Sequence, residues 1–97
     1  MTYRFVGSNS DIGDSIRLTR FGQSVELSDE QARNAVLGGC ALVPDEAFTE
    51  IGFTAAELTS FASVGSHERA PADFLDRKKH ALLAAHDLRE RLEGGGE

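Results

Sequence analysis

The sequence has no tryptophan, a single cysteine and two prolines in 97 residues. With Cys40 alone, no intramolecular disulfide forms, so small secreted folds that depend on covalent staples are excluded. Cys40 lies in the apolar run Cys40-Ala41-Leu42-Val43. A reactive thiol needs a neighbouring base to lower its pKa, and none adjoins it. It reads as a small buried apolar group. Long apolar runs are missing too, and nothing approaches the roughly 18 residues of a membrane span. The first residues, Met1-Thr2-Tyr3-Arg4-Phe5, lack the basic start and apolar centre of a signal peptide, so synthesis in the cytoplasm is expected. Positive charge is also scarce: 10 Lys and Arg stand against 16 Asp and Glu, a net charge of −6. Duplex nucleic acid and anionic membranes both call for a basic face, so both are disfavoured as partners. A chain of this length folds into one modest core with a surface of roughly 5,400 Å². That leaves little room for a deep enclosed active site.

What is present is clear local patterning. Tyr3 and Phe5 alternate with an outward Arg4, which predicts a first strand. Ser8 to Asp14 form a polar turn region. Ile16 and Leu18 alternate with Arg17 and Thr19 in a second strand, and Phe21-Gly22-Gln23 turns the chain into a third strand carrying Val25 and Leu27. Residues 1–27 therefore read as an antiparallel meander with one apolar face. Ser28-Asp29-Glu30-Gln31 is a capping box opening a helix of about nine residues, whose apolar stripe is Ala32, Ala35 and Val36. Gly38-Gly39 closes it in a left-handed cap. Cys40 to Val43 follows as a buried strand ended by Pro44.

After Pro44 the character changes. Asp45-Glu46 begin a short helical turn with Phe48 and Ile51, ended by Gly52. Thr54-Ala55-Ala56-Glu57 is a second capping box, with Phe53 and Leu58 placed for a hydrophobic staple. That helix carries Leu58, Phe61 and Ala62 and stops near Gly65. Ser63 to Ala70 is a polar connection. Pro71 then opens a long helix reaching about Glu93, rich in Ala, Leu, Arg, Lys and Glu. Phe74, Ala81, Ala85, Leu88 and Leu92 form a heptad-like seam interrupted by Lys78, and Leu75 and Leu82 widen it. Asp73–Arg77 and Asp87–Arg91 are spaced as i,i+4 ion pairs. The domain plan is a β-rich module at 1–44 with one helix at about 28–37, short helices at 45–65, a C-terminal amphipathic helix at 66–93 and a disordered tail at 94–97. The expected fold class is α+β: a small antiparallel β-meander or partial barrel with one short packed helix, followed by C-terminal helices.

Signals for catalysis are weak. His67, His80 and His86 have no zinc-ligand spacing, since six residues on a helix turn His80 and His86 to different faces. His67-Glu68 reads as an exposed loop pair. Gly7 to Gly13 lacks the Lys of a phosphate loop, and no nucleophile elbow is present. Asp29-Glu30 and Asp45-Glu46 begin helices, where the macrodipole accounts for them. No catalytic residue, metal or cofactor is assigned. Arg77-Lys78-Lys79-His80 is the one basic cluster, flanked by Asp73 and Asp76, and reads as a solvated helix turn. The long helix is the informative element. Its apolar stripe along residues 74–92 exceeds what so small a body needs for its own core. Two fates are open to the helix: it folds back to cover the sheet, or it acts as an arm whose seam residues Phe74, Leu75, Ala81, Leu82, Ala85, Leu88 and Leu92 bind a partner protein or a second copy of the chain, and the second is the functional expectation.

Tyr3-Arg4-Phe5-Val6-Gly7 and the stretch Val25 to Pro44 together resemble a pattern found in small proteins of tailed-phage structural operons. The pattern runs aromatic-basic-aromatic-Val-Gly, a loop, Val-x-Leu-Ser before a short Ala-containing helix, then Gly and Leu-x-Pro. In this respect residues 1–44 are similar to the N-terminal module of YqbF-like prophage proteins and of small head-associated phage proteins. The resemblance implies a virion structural protein, made in the host cytoplasm and located on the head. It would be a minor capsid or decoration protein bound to the major capsid protein or other virion proteins. A head–tail junction component and a small regulatory nucleic-acid-binding module are the alternatives. Many copies on a lattice would bind by avidity, so each contact can be small.

Overall fold

The computed structural model describes residues 1–13 and 15–94. It is an α+β fold with a three-stranded and a two-stranded antiparallel sheet and a long C-terminal helix. The main sheet has β1 (Thr2–Phe5) at its centre, between β4 (Ser24–Glu26) and β5 (Leu42–Pro44). Tyr3 lies opposite both Val25 and Pro44, and Phe5 opposite Leu42. The expected meander is corrected here. Ile16 and Leu18 do not lead a strand into this sheet. Instead β3 (Arg17–Leu18) pairs with β2 (Ser10–Asp11), part of the stretch read as a turn, in a separate two-stranded hairpin. Ile12 and Ile16 from that hairpin pack onto the core beside Leu18.

The single apolar face expected for the sheet is also corrected, because both faces are covered. Tyr3, Phe5 and Leu42 meet Leu18, Leu27, Ala32, Val36 and Cys40 on one side. Val6 and Val43, on the alternate positions, meet Phe21, Phe48, Phe74, Ala81 and Ala85 on the other. Period-2 alternation thus feeds two clusters rather than one core and one wet face. Arg4 shares the second face and is half-buried. Its Nε donates to Asp45 Oδ1 at 2.7 Å, its Nη1 donates to the Gly22 carbonyl at 3.0 Å, and its guanidinium lies 5.2 Å from the Phe48 ring centroid.

The helices form where local chemistry dictates. In α1 (Asp29–Leu37), Ser28 accepts from the Gln31 amide while Gln31 caps the Ser28 amide in return. The helix ends at Gly38, and Gly39 takes φ +107°, where a side chain would be strained. It carries the chain from β4 on one sheet edge to β5 on the other. α2 (Asp45–Ile51) stops at the left-handed Gly52. α3 (Ala55–Ser60) has the capping box expected at Thr54 and Glu57, but ends at Ser60 rather than near Gly65. Phe61 and Ala62 therefore lie beyond it. A 3-10 turn (Val64–Arg69) follows where a plain polar connection is predicted. α4 (Ala72–Gly94) is 23 residues long and packs on β5, α1 and α2. It extends through Gly94, the first residue of the predicted disordered tail; the rest of that tail, 95–97, lies outside the described residues.

Candidate interaction surface

The seam expected to meet a partner is turned mostly toward its own chain. Phe74, Ala81 and Ala85 are buried in the second cluster, and Leu88 and Leu92 pack against the first. For these five residues the expected partner role is corrected to core packing. The reason lies in the sheet. With two apolar faces to cover and only short helices elsewhere, one long helix is needed along β5, and the seam supplies it. The remaining two assigned residues, Leu75 and Leu82, stay exposed at 39% and 41%. A third, Leu83, is 56% exposed and was not assigned. Its signal is position: at about 100° per residue, Leu83 falls on the side of the helix opposite Ala81 and Ala85. Leu75 and Leu82 are seven residues apart and share a flank, with Lys79 and His86 one turn away from Leu75 and Leu82 respectively.

The base of this helix is fixed by Arg77. Its Nη2 donates to Glu57 Oε2 at 2.6 Å, its Nη1 donates to Glu57 Oε1, and Nη1 also reaches the Gly52 carbonyl at 3.3 Å. The guanidinium stands 5.5 Å from the Phe53 ring centroid. Hydrogen bonds from Arg77, then from the Thr54 amide, pull the Glu57 carboxyl down to about 2. The same contact raises the Arg77 pKa. The predicted Asp73–Arg77 side-chain pair is replaced by a bond from Arg77 Nε to the Asp73 carbonyl at 3.2 Å. Further along, His86 meets Glu90 at 2.7 Å and Arg89 meets Glu93 at 3.5 Å. Arg77 is thereby removed from the basic cluster, leaving Lys78, Lys79 and His80.

His67 is the residue that sequence reasoning placed wrongly. It was expected to be exposed, and it is 3% exposed, the one buried polar residue of the described chain. Its ring lies 4.9 Å from Phe74, 5.0 Å from Phe21 and 6.3 Å from Phe61, each edge to face. Nε2 is 2.8 Å from the Phe61 carbonyl, so Nε2 carries the proton and donates. Nδ1 is buried with no hydrogen-bond partner. Burial, and secondarily the charge of Lys78, lowers the imidazole pKa below its ordinary value, while the bond to Phe61 opposes that.

Two open clefts flank the sheet. One, of about 370 Å³, lies between the β2–β3 hairpin and α1 and is lined by Asp11, Gln31, Asn34 and Cys40. Cys40 is buried at its base, and that burial raises the thiol pKa, a hydrogen bond with Ser10 offsetting part of the effect. This is the environment of an inert thiol. The other, of about 470 Å³, is lined by Arg4, Arg20, Gln23, Ser24 and Thr59. Neither cleft is lined by a histidine that would serve as base. Among the described residues no group of three or more His, Cys, Asp or Glu converges as a metal site, and no helix is long and apolar enough to cross a membrane. Comparison with family models, with curated proteins and with solved structures finds no match to this chain.

Proposed function

We propose that this protein is a structural component of a phage virion, a minor capsid or decoration protein that binds the major capsid protein through the outer face of α4. The observation that carries the reading is the exposure of Leu75, Leu82 and Leu83 on a helix whose inner face is already filled by its own core. Leucines left in water on a rigid helix favour docking against an apolar groove. The resemblance of residues 1–44 to head-associated phage proteins supplies the partner class, and a head–tail junction position is the other place in the particle that fits it. The nucleic-acid alternative is weakened, because Arg77 is held by Glu57 and the net charge is −6. The test is peptide counting on washed particles by mass spectrometry. The protein is expected at a fixed ratio to the major capsid protein, and the ratio is expected to collapse in the Leu82→Glu, Leu83→Glu double variant. Absence of the wild-type chain from washed particles overturns the proposal.

A further inference from the structure

We propose that His67 is an acid-sensitive latch: it holds residues 61–70 on the aromatic cluster while its Nδ1 is unprotonated, and releases them when Nδ1 takes a proton. The inference is independent of the particle-binding reading. Apart from His67, the segment is held by packing at its two ends, where Phe61, 4.7 Å from the Phe74 ring, and Ala70 rest on the second cluster. α3 has already ended at Ser60, and the 3-10 turn has no side-chain cap at its start. The bond from the Phe21 amide to the Ala62 carbonyl at 2.8 Å ties it to the body, while His67 Nε2 bonds back to the Phe61 carbonyl within the segment and folds the turn over the aromatic rings. His67 also inserts between Phe21, Phe61 and Phe74. One ring thus fastens the turn to the loop before it and the helix after it.

Chemistry makes this fastening conditional. The neutral ring uses its only N–H on the Phe61 carbonyl, and Nδ1 faces apolar surroundings with a lone pair and no donor. A second proton would create an N–H with no acceptor and a full charge with little access to water. Aromatic faces return part of that cost. Among the described residues no carboxylate returns the rest. Glu57 on α3 is taken by Arg77, Glu68 and Arg69 on the turn itself are exposed, and Arg20 beside Phe21 is exposed. On α4 the charge that reaches the ring is Lys78, which repels the imidazolium. The protonated ring is therefore better placed in water, and lifting residues 61–70 takes it there. Lifting also uncovers Phe21 and Phe74, both essentially buried in the closed form.

The sign follows from linkage. A base whose folded pKa lies below its unfolded value of about 6.5 leaves stability intact above that value. As pH falls below it, the open state gains a proton that the closed state refuses. The opening equilibrium constant then rises by up to about tenfold per pH unit until the folded pKa is reached.

The test compares the wild type with His67→Gln, which keeps a donor for the Phe61 carbonyl but does not titrate. Hydrogen–deuterium exchange by mass spectrometry is run at about pH 7.5 and about pH 5.5, each wild-type peptide normalised to the same peptide of the variant to remove intrinsic pH effects. Peptides spanning 61–70 are expected to exchange several-fold faster in the wild type at the lower pH only. Peptides from α1 are expected not to change. An equal ratio at both pH values overturns the proposal, as does acceleration spread evenly over the chain. A second, variant-free measurement is the NMR titration of the His67 ring in the wild type, where a midpoint at or above about 6.5 also overturns it.

Discussion

Arg77 and Glu57 stand 20 residues apart in sequence and meet end-on, the two terminal guanidinium nitrogens on the two carboxylate oxygens, so that α4 is tied to the first turn of α3. Glu57 also caps Thr54, so a single carboxylate completes a helix start and receives the cation. Its pKa, pulled from an ordinary 4.5 to about 2, gives the acid response a direction. The unfolded chain takes up this proton first as the pH falls, so the contribution is whole above about pH 4.5 and is lost on the way down to about 2. Thermal melts between about pH 5 and about pH 2.5 are expected to show a shallower decline of Tm in Glu57→Gln than in the wild type. The Tm of Glu57→Gln at neutral pH is expected to be the lower of the two.

Phe74 and the pair Leu82 and Leu83 lie on one helix yet belong to different categories of surface. Phe74 is fully buried among Phe21, Phe53, Phe61 and His67. Phe74→Ala is expected to cost about 3–5 kcal/mol, enough to unfold much of the population at 37 °C. Leu82→Glu with Leu83→Glu is expected to stay within about 1 kcal/mol of the wild type, since both sites are exposed and Glu is a good helix former. Urea denaturation of the two variants measures both.

Gly22 is the position where backbone and space agree. Its φ is +82°, and a Cβ there would sit 2.7 Å from Leu58 Cδ2 and 3.2 Å from Phe48 Cζ. Gly22→Ala is expected to cost about 1–3 kcal/mol through positive-φ strain and crowding. A denaturation midpoint equal to that of the wild type would show that the loop relaxes freely.

Ser28 offers a milder test. Its hydroxyl accepts from the Gln31 amide at 3.1 Å, and Ser28→Ala is expected to cost about 1 kcal/mol. Because α1 joins the two edge strands, the loss is expected to appear in the global unfolding transition rather than as fraying alone, which paired far-UV circular dichroism and aromatic absorbance melts would register together.

The parts of this fold that could be read from the sequence are those set by neighbours in the chain. Ser28 and Gln31, Thr54 and Glu57, Gly39 and Gly52 each act within a few residues, and each does in the structure what local chemistry predicts. Strand pairing is a contest between distant segments. Alternation at Ile16 and Leu18 could not reveal that Ser10–Asp11 would be the partner. The stripe on α4 likewise announced that a face would be buried without naming its cover, and β5, α1 and α2 provide it. His67 was hidden by its context, because Ser66, Glu68 and Arg69 read as a wet loop. The clue was Phe61 upstream and Phe74 downstream, apolar rings that a short 3-10 turn folds over.

α4 contributes Phe74, Ala81 and Ala85 to one side of the sheet and Leu88 and Leu92 to the other. A pull on its outer leucines is therefore passed to both sides of the sheet through one rod, and neither oily filling bears it alone.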